Sequence, residues 1–359
     1  MKSVFDEDIF KVASFFDFEG IVKEIYQENS GHINDTYHVV TSCNCYILQR
    51  LNRNIFRHPK DVMGNILDVS AQLVEHIVKR GGDPEKECLV LVKTKEGRAL
   101  FKDKDCFSWR AFKEIEHSKT LLYSEDPVII CEMGRALGRF NADLIDSPID
   151  DLKETIPHFH DTEKRYQDFL LAIKNDKASR KEEMKDILEE MCSYSEFSKP
   201  YQGIALHITH NDPKLPNILL SDCGKKALCL VDFDTIMPGY IPDDVGDALR
   251  SGASNTDEDE PDLSKVGLNI TLYKAFLNGY FSEARDVLDE PTKEQLVYGL
   301  LKMTYELTLR FMTDYLNGDE YFKVSYPEHN KVRALCQFTL FKDIVSKREL
   351  LEDIVRSLS

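Results

Sequence analysis

One stretch constrains this chain more than any other. His207-Ile-Thr-His210-Asn-Asp212-Pro-Lys-Leu-Pro-Asn217-Ile-Leu-Leu220 is a polar loop running into an apolar segment, and Leu228-Cys-Leu-Val231-Asp232-Phe-Asp234 is a second apolar segment ending in acids. Between them, Ser221-Asp222-Cys223-Gly224-Lys225-Lys226 has turn chemistry, so Ile218–Leu220 and Ala227–Val231 are expected to pair as a hairpin. A short hairpin brings the loop before its first strand towards the residues after its second. Asp212, Asn217 and Asp232 are therefore expected to converge. Two carboxylates and an amide, without Cys or His, make an all-oxygen site that suits magnesium and suits zinc poorly. The plain alternative, a hairpin decorated with capping Asp and Asn, is disfavoured by the agreement of order and spacing.

The spacing His-x-Asp-x-x-x-x-Asn, followed by a strand ending hydrophobic-Asp-Phe, resembles the catalytic-loop and metal-loop pair of kinase-fold phosphotransferases. In that template the first Asp, here Asp212, accepts the proton of the attacking hydroxyl. Asn217 and Asp232 then hold magnesium between the nucleotide phosphates.

At 359 residues the chain exceeds the usual size of a single core, and two lobes are expected. A formal net charge of −17 argues against nucleic acid or an anionic membrane as partner. It also means that local Lys, Arg, backbone N–H groups and magnesium must offset the field around any bound phosphate. Nine scattered cysteines read as reduced thiols, since Cys43-Asn-Cys45 lacks zinc-knuckle spacing. The opening Met1-Lys-Ser-Val-Phe-Asp-Glu-Asp carries acids where a signal peptide needs a basic end, and a cytoplasmic location is expected.

Taken in order, the chain begins strand-rich and turns helical. An amphipathic helix within residues 1–20 leads to strands Ile21–Tyr26, Tyr37–Thr41 and Asn44–Leu51, with the polar turn Gln27–Thr36 between the first two. That turn is expected to cover nucleotide phosphates with backbone N–H groups, Ser30 and Gly31 foremost, while His32 and Asn34 are candidate substrate contacts. On the third strand Gln49 and Arg50 alternate in facing, so only one of them can meet the phosphates. Gln49 is a candidate nucleotide ligand, and the choice between the two stays open. Pro59–Lys79 carries the stripe Val62, Ile66, Val69, Leu73, Ile77 of a helix stopped by Gly81-Gly82, and Glu75 on it is a candidate for a helix-to-strand ion pair but reads more readily as a solvated acid. Strands Cys88–Thr94, Ala99–Phe101 and Ser108–Ile115 follow.

Helices are expected over Asp126–Leu144, twice between Tyr166 and Phe197, and over Leu268–Gly279, Glu283–Asp289, Gln295–Asn317 and His329–Leu358. The expected fold is therefore α+β and two-lobed, protein-kinase-like. A strand-rich N-lobe (1–115) covers the nucleotide, and a larger helical C-lobe (116–359) carries the hairpin, with the active site in the cleft.

With these residues in hand, the chain resembles the aminoglycoside phosphotransferase and choline kinase superfamily, through His210-Asn-Asp212 to Asn217 and Val231-Asp232-Phe-Asp234-Thr-Ile-Met-Pro238-Gly239. Other stretches are similar to the N-acetylhexosamine 1-kinases: Gly31-His-Ile-Asn-Asp-Thr-Tyr37, Tyr46-Ile-Leu-Gln-Arg50, Gly246-Asp-Ala-Leu-Arg250, Asp259–Lys265, Arg310–Lys323 and Tyr326–Asn330. The resemblance implies ATP- and magnesium-dependent phosphorylation of an N-acetylhexosamine at its anomeric hydroxyl. It implies sugar contacts from Arg310 and Tyr321, with His32 from the turn. Without the resemblance, Arg310 reads as an ion-pair partner of Glu306 or Asp314, four residues to either side.

Two other readings stand beside this one. A kinase of choline, ethanolamine, homoserine or an aminoglycoside would share the motif, although a choline site needs an aromatic cage that the sequence does not place. A nucleotide-binding scaffold without turnover would have no chemical need for Asp212. Small-molecule sugar and ATP are the expected partners, with no protein, nucleic acid or membrane.

Overall fold

A computed structural model describes residues 7–28 and 33–359. The chain forms two compact units. The first takes Met1–Lys119 and then recruits two later segments, Asp150–Pro157 and Val231–Met237; the second comprises Thr120–Ile149, His158–Leu230 and Pro238–Ser359.

The first unit contains α1 (Glu7–Ala13), β1 (Val22–Glu28), β2 (Asp35–Thr41), β3 (Cys45–Arg50), α2 (Pro59–Lys79), a single turn α3 (Pro84–Glu87), the short β4 (Leu91–Val92) and β5 (Phe101–Lys102), β6 (Ser108–Lys113) and the two-residue β7 (Ser118–Lys119). Its antiparallel sheet runs β1-β2-β3-β6-β4, with β5 also on β6. Alternation on β3 decides the faces. Tyr46 and Leu48 enter a core with Ile9, Val12 and Phe16 from the amino-terminal helix region and Val39 from β2, so Gln49 lies on the opposite face.

The expected stripe of α2 is buried throughout, and Gly81, at φ +74°, ends it in the left-handed conformation that glycine adopts without strain. Glu75 is exposed and makes no ion pair among the described residues. The strand expected over Cys88–Thr94 shrinks to Leu91–Val92, because Asp83 caps a helical turn that runs up to Cys88. The strand expected over Ala99–Phe101 is likewise reduced to Phe101–Lys102.

The second unit contains α4 (Pro127–Leu144), α5 (Thr162–Asn175), α6 (Lys185–Ser193), β8 (His207–Thr209), the hairpin β9 (Ile218–Ser221) and β10 (Ala227–Leu230), then α7 (Ile241–Gly252), α8 (Ile270–Ala284), α9 (Glu290–Glu294), α10 (Leu296–Asn317) and α11 (His329–Leu358). Ile218 pairs with Leu230, as the turn chemistry of Ser221–Lys226 requires. The helix expected over Glu283–Asp289 does not form. α8 stops at Ala284, and Asp289 instead caps α9 by accepting from Thr292 N at 2.9 Å. An Asp followed closely by Pro starts a helix more readily than it ends one. No helix among the described residues is long and apolar enough to cross a membrane.

At the centre of this unit α7 lies hard against α10. A Cβ on Gly299 would stand 2.0 Å from the Pro242 carbonyl oxygen, and one on Gly246 would stand 2.5 Å from the Gly299 backbone. Both neighbours are backbone, which cannot rotate aside. Gly299→Ala is expected to destabilise the protein by about 1–3 kcal/mol. Gly64→Ala on α2, where the new methyl meets nothing within 4 Å, should be neutral or stabilising by about 0.5–1 kcal/mol. Urea unfolding of both variants checks this, and wild-type stability for Gly299→Ala would refute the close crossing.

Candidate active site

In the second unit β8 delivers the polar loop at His210. Asn211 follows in a left-handed conformation, φ +63°, which Asn tolerates better than most residues. The turn is held from the first turn of α7. Asp244, fully buried, accepts the N–H of His210 at 2.7 Å and the N–H of Asn211 at 2.6 Å. Burial pushes the Asp244 carboxyl up to about 7, although both N–H bonds favour its ionised form.

The other side of Asn211 is held too. Its carbonyl oxygen lies 2.8 Å from Nε2 of His160, whose Nδ1 is 2.9 Å from Oε1 of Glu306. Thr162 donates to the second Glu306 oxygen at 2.5 Å. Burial opposes the charge on both groups, but each is the other's counter-ion: Glu306 is held down at about 2 and His160 is raised above its usual value.

Beyond this turn stands Asp212, partly exposed. Its Oδ2 is 2.9 Å from Nζ of Lys214 and 3.0 Å from Nδ2 of Asn217, which also donates to the Asp212 carbonyl at 2.8 Å. With its amide nitrogen so occupied, Asn217 has its Oδ1 as the atom for a metal. Among the described residues no three His, Cys, Asp or Glu side chains cluster closely enough to hold a metal alone. The donor set Asn217 Oδ1 with an Asp carboxylate fits magnesium, which binds through one or two carboxylates and takes its other ligands from phosphate and water.

Arg310 and Tyr321 come together, lining a cavity of about 420 Å³ with Arg165, Asp168, Asp314 and Phe322. Neither ion pair open to Arg310 forms. Glu306 is committed to His160, while Asp314 accepts from the N–H groups of Tyr321 (2.8 Å) and Phe322 (2.9 Å) and from Asn330 (2.9 Å). The Arg310 guanidinium instead faces the rings of Phe159 at 5.5 Å and Phe322 at 5.6 Å. Burial and the neighbouring Arg310 charge lower the pKa of Arg165, a sign that two guanidinium groups share this cavity.

The first unit holds Asp232 and Gln49. Asp232 is exposed and left-handed, φ +64°. The segment that carries it is anchored at Asp234, which forms a buried ion pair with Arg110 of β6 and accepts from Asn34 Nδ2 at 2.6 Å. Asn65 of α2 adds a bond to the Ile236 carbonyl at 2.7 Å. Gln49 accepts from Arg110 at 2.8 and 3.0 Å and donates to Thr36, while Arg50 pairs with Asp35 at 2.6 Å. Both side chains left open by strand alternation are thus engaged within the sheet, and Asn34 braces Asp234. Ser30, Gly31 and His32 lie outside the described residues.

Sequence reasoning missed Asp244, His160, Glu306, Lys214 and Arg110. Glu306 left a readable signal, as one of two acids, with Asp314, on the core-facing run of α10, where an unpaired carboxylate is costly. Asp244 reads as an ordinary acid in a helix first turn, and the partners of His160 and Arg110 are distant in sequence.

Residues 25–290 match the phosphotransferase enzyme family. The chain belongs to that family. Solved structures with the same fold include the microcompartment-associated aminopropanol kinase, at 14% identity and TM-score 0.60, covering 97% of this chain and 99% of that one. A spectinomycin phosphotransferase in complex with ADP and spectinomycin matches at 11% identity and TM-score 0.57, covering 94% and 98%. A choline kinase from Streptococcus pneumoniae matches at 14% identity and TM-score 0.54, covering 95% and 99%. The fold of this family member is protein-kinase-like, with a strand-rich amino-terminal sheet and a helical carboxy-terminal part.

The Glu306–His160 pair sets a pH window for stability. Glu306 falls from 4.5 to about 2 on folding, so its contribution is present above pH 4.5 and lost as pH drops towards 2. His160 is raised above 6.5, so its contribution is complete below 6.5 and lost as pH rises through the folded value. Between about pH 5 and pH 2 wild type should lose on the order of 3 kcal/mol more than Glu306→Gln. Thermal unfolding across pH tests this, and parallel pH profiles for the two proteins would contradict it.

Proposed function

We propose that this chain is an ATP- and magnesium-dependent kinase that phosphorylates the anomeric hydroxyl of an N-acetylhexosamine, N-acetylglucosamine or N-acetylgalactosamine. The observation that carries the reading is the Asp212–Asn217–Lys214 arrangement on a loop fixed from both sides. Asp212 orients the acceptor hydroxyl and takes its proton late in transfer, a modest demand because the ring oxygen makes an anomeric hydroxyl more acidic than an ordinary alcohol. Lys214 places positive charge beside that carboxylate. Asn217 and Asp232 are the residues for magnesium, which when bound compensates the charge developing on the leaving ADP. Ser30 and Gly31 remain the candidates for covering the nucleotide phosphates, and His32 for a further sugar contact.

Arg310 supports a sugar acceptor. An arginine with no carboxylate partner among the described residues, lying beside aromatic rings in a cavity, has donors available for hydroxyls or an acetamido carbonyl. With Arg165, Lys177 and Arg310 against Asp168 and Asp314, the lining carries one more cation than carboxylate, which favours a neutral acceptor over choline, ethanolamine or an aminoglycoside. A kinase of another small metabolite is the second reading, since the chain shares its fold with aminopropanol and choline kinases. None of the nine cysteines is in a disulfide.

ADP release with magnesium-ATP and a panel of N-acetylglucosamine, N-acetylgalactosamine, glucose, choline, ethanolamine, homoserine and spectinomycin tests the reading. Turnover is expected with the N-acetylhexosamines. Asp212→Asn should lower kcat by about 10²–10⁴-fold, and Arg310→Met should raise the KM for sugar. Turnover with choline or ethanolamine alone would select the second reading, and nucleotide binding without turnover would mark a scaffold.

A further inference from the structure

We propose that His160, oriented by Glu306, is a positioning residue for phosphoryl transfer: it fixes the peptide that carries Asp212 by donating a hydrogen bond to the carbonyl of Asn211. The proposal rests on the reading of Asp212 as the base.

A carbonyl oxygen can only accept, so Nε2 of His160 carries a hydrogen towards Asn211, 2.8 Å away. Glu306 is ionised, so Nδ1 carries one as well, 2.9 Å from Oε1. The ring is therefore an imidazolium bridging a helix to a loop. Its target is specific, because the Asn211 carbonyl belongs to the peptide that joins Asn211 to Asp212. Rotation of that peptide would swing the Asp212 carboxylate. Asn211 is also left-handed, a conformation less favourable than the right-handed one even for Asn, so external bonds help the turn persist. Asp244 supplies it on the N–H side and His160 on the carbonyl side.

Stability alone explains the pair poorly. Well-packed apolar side chains of similar volume would serve a core equally. What apolar side chains lack is direction. Glu306 also lies one helical turn before Arg310 on α10, so the helix that lines the cavity with Arg310 is the one that steadies the loop. Base and acceptor site are thus referred to one rigid element.

The test uses the full chain with His160→Gln, Glu306→Gln, the double variant and Asp212→Asn. It follows magnesium-ATP turnover with N-acetylglucosamine and with water as acceptor, thermal unfolding, and amide hydrogen exchange in 207–214. Gln at 160 can still donate to Asn211 but has neither the charge nor the fixed fork. His160→Gln should lower kcat by roughly 10²-fold, the cost of about 1 Å of misplacement, with KM for ATP within about threefold. Exchange in 207–214 should rise. Glu306→Gln should behave alike, and the double variant should be no worse than either single one, because the two act as a unit.

A His160→Gln protein with wild-type kcat and wild-type protection of 207–214, altered only in melting temperature, overturns the proposal. If that variant does not fold, Glu306→Gln, which leaves the ring in place but neutral, carries the same test. Exchange needs no acceptor and decides the matter even where nothing in the assay is phosphorylated. Wild-type turnover by Asp212→Asn would instead show that the base assignment is at fault.

Discussion

The second unit is organised by one carboxylate. Asp244 accepts two adjacent backbone N–H groups from the left-handed turn at His210 and Asn211, and without it those donors would be buried unsatisfied. Its reach depends on where α7 lies, which depends in turn on the absence of side chains at Gly246 and Gly299. A pair of glycines thus sets the helix, the helix sets the acid, the acid sets the turn, and the turn presents Asp212. Each link is short-range, yet together they run from helix packing to the atom proposed to take a proton.

The first unit solves a related problem with charge rather than backbone alone. Arg110 is buried on a strand, where an unpaired guanidinium would be prohibitive, and Asp234 and Gln49 satisfy it. The same bonds draw Val231–Met237 onto the sheet, leaving Asp232 exposed at the start of the anchored segment. The formal charge of −17 comes from 63 Asp and Glu against 46 Lys and Arg. Arg110 is thus committed to Asp234 and Gln49 within the unit.

Fold and acceptor preference are separate problems here. Structures between 11% and 14% identical share this architecture, yet their names span aminopropanol, spectinomycin and choline. In this chain the cavity proposed to take the acceptor brings Arg165, Lys177 and Arg310 together with Asp168 and Asp314.

The hairpin, the stripe of α2 and the motif from His210 to Asp234 were legible in the sequence because each depends on neighbours within a few residues or on strict periodicity. The shortened strand before Val92 and the absent helix over Glu283–Asp289 were not, since an Asp side chain capping the next turn competes with the local pattern. The facing of Gln49 was a parity question that only the buried side of β3 could answer. His160 and Glu306, and Arg110 and Asp234, lie more than a hundred residues apart. Sequence by itself determined which chemistry the chain can hold, because residue type and short spacing fix donor atoms. Only the tertiary structure decided which of those atoms are already satisfied, because burial and long-range hydrogen bonds exist only once the chain has folded.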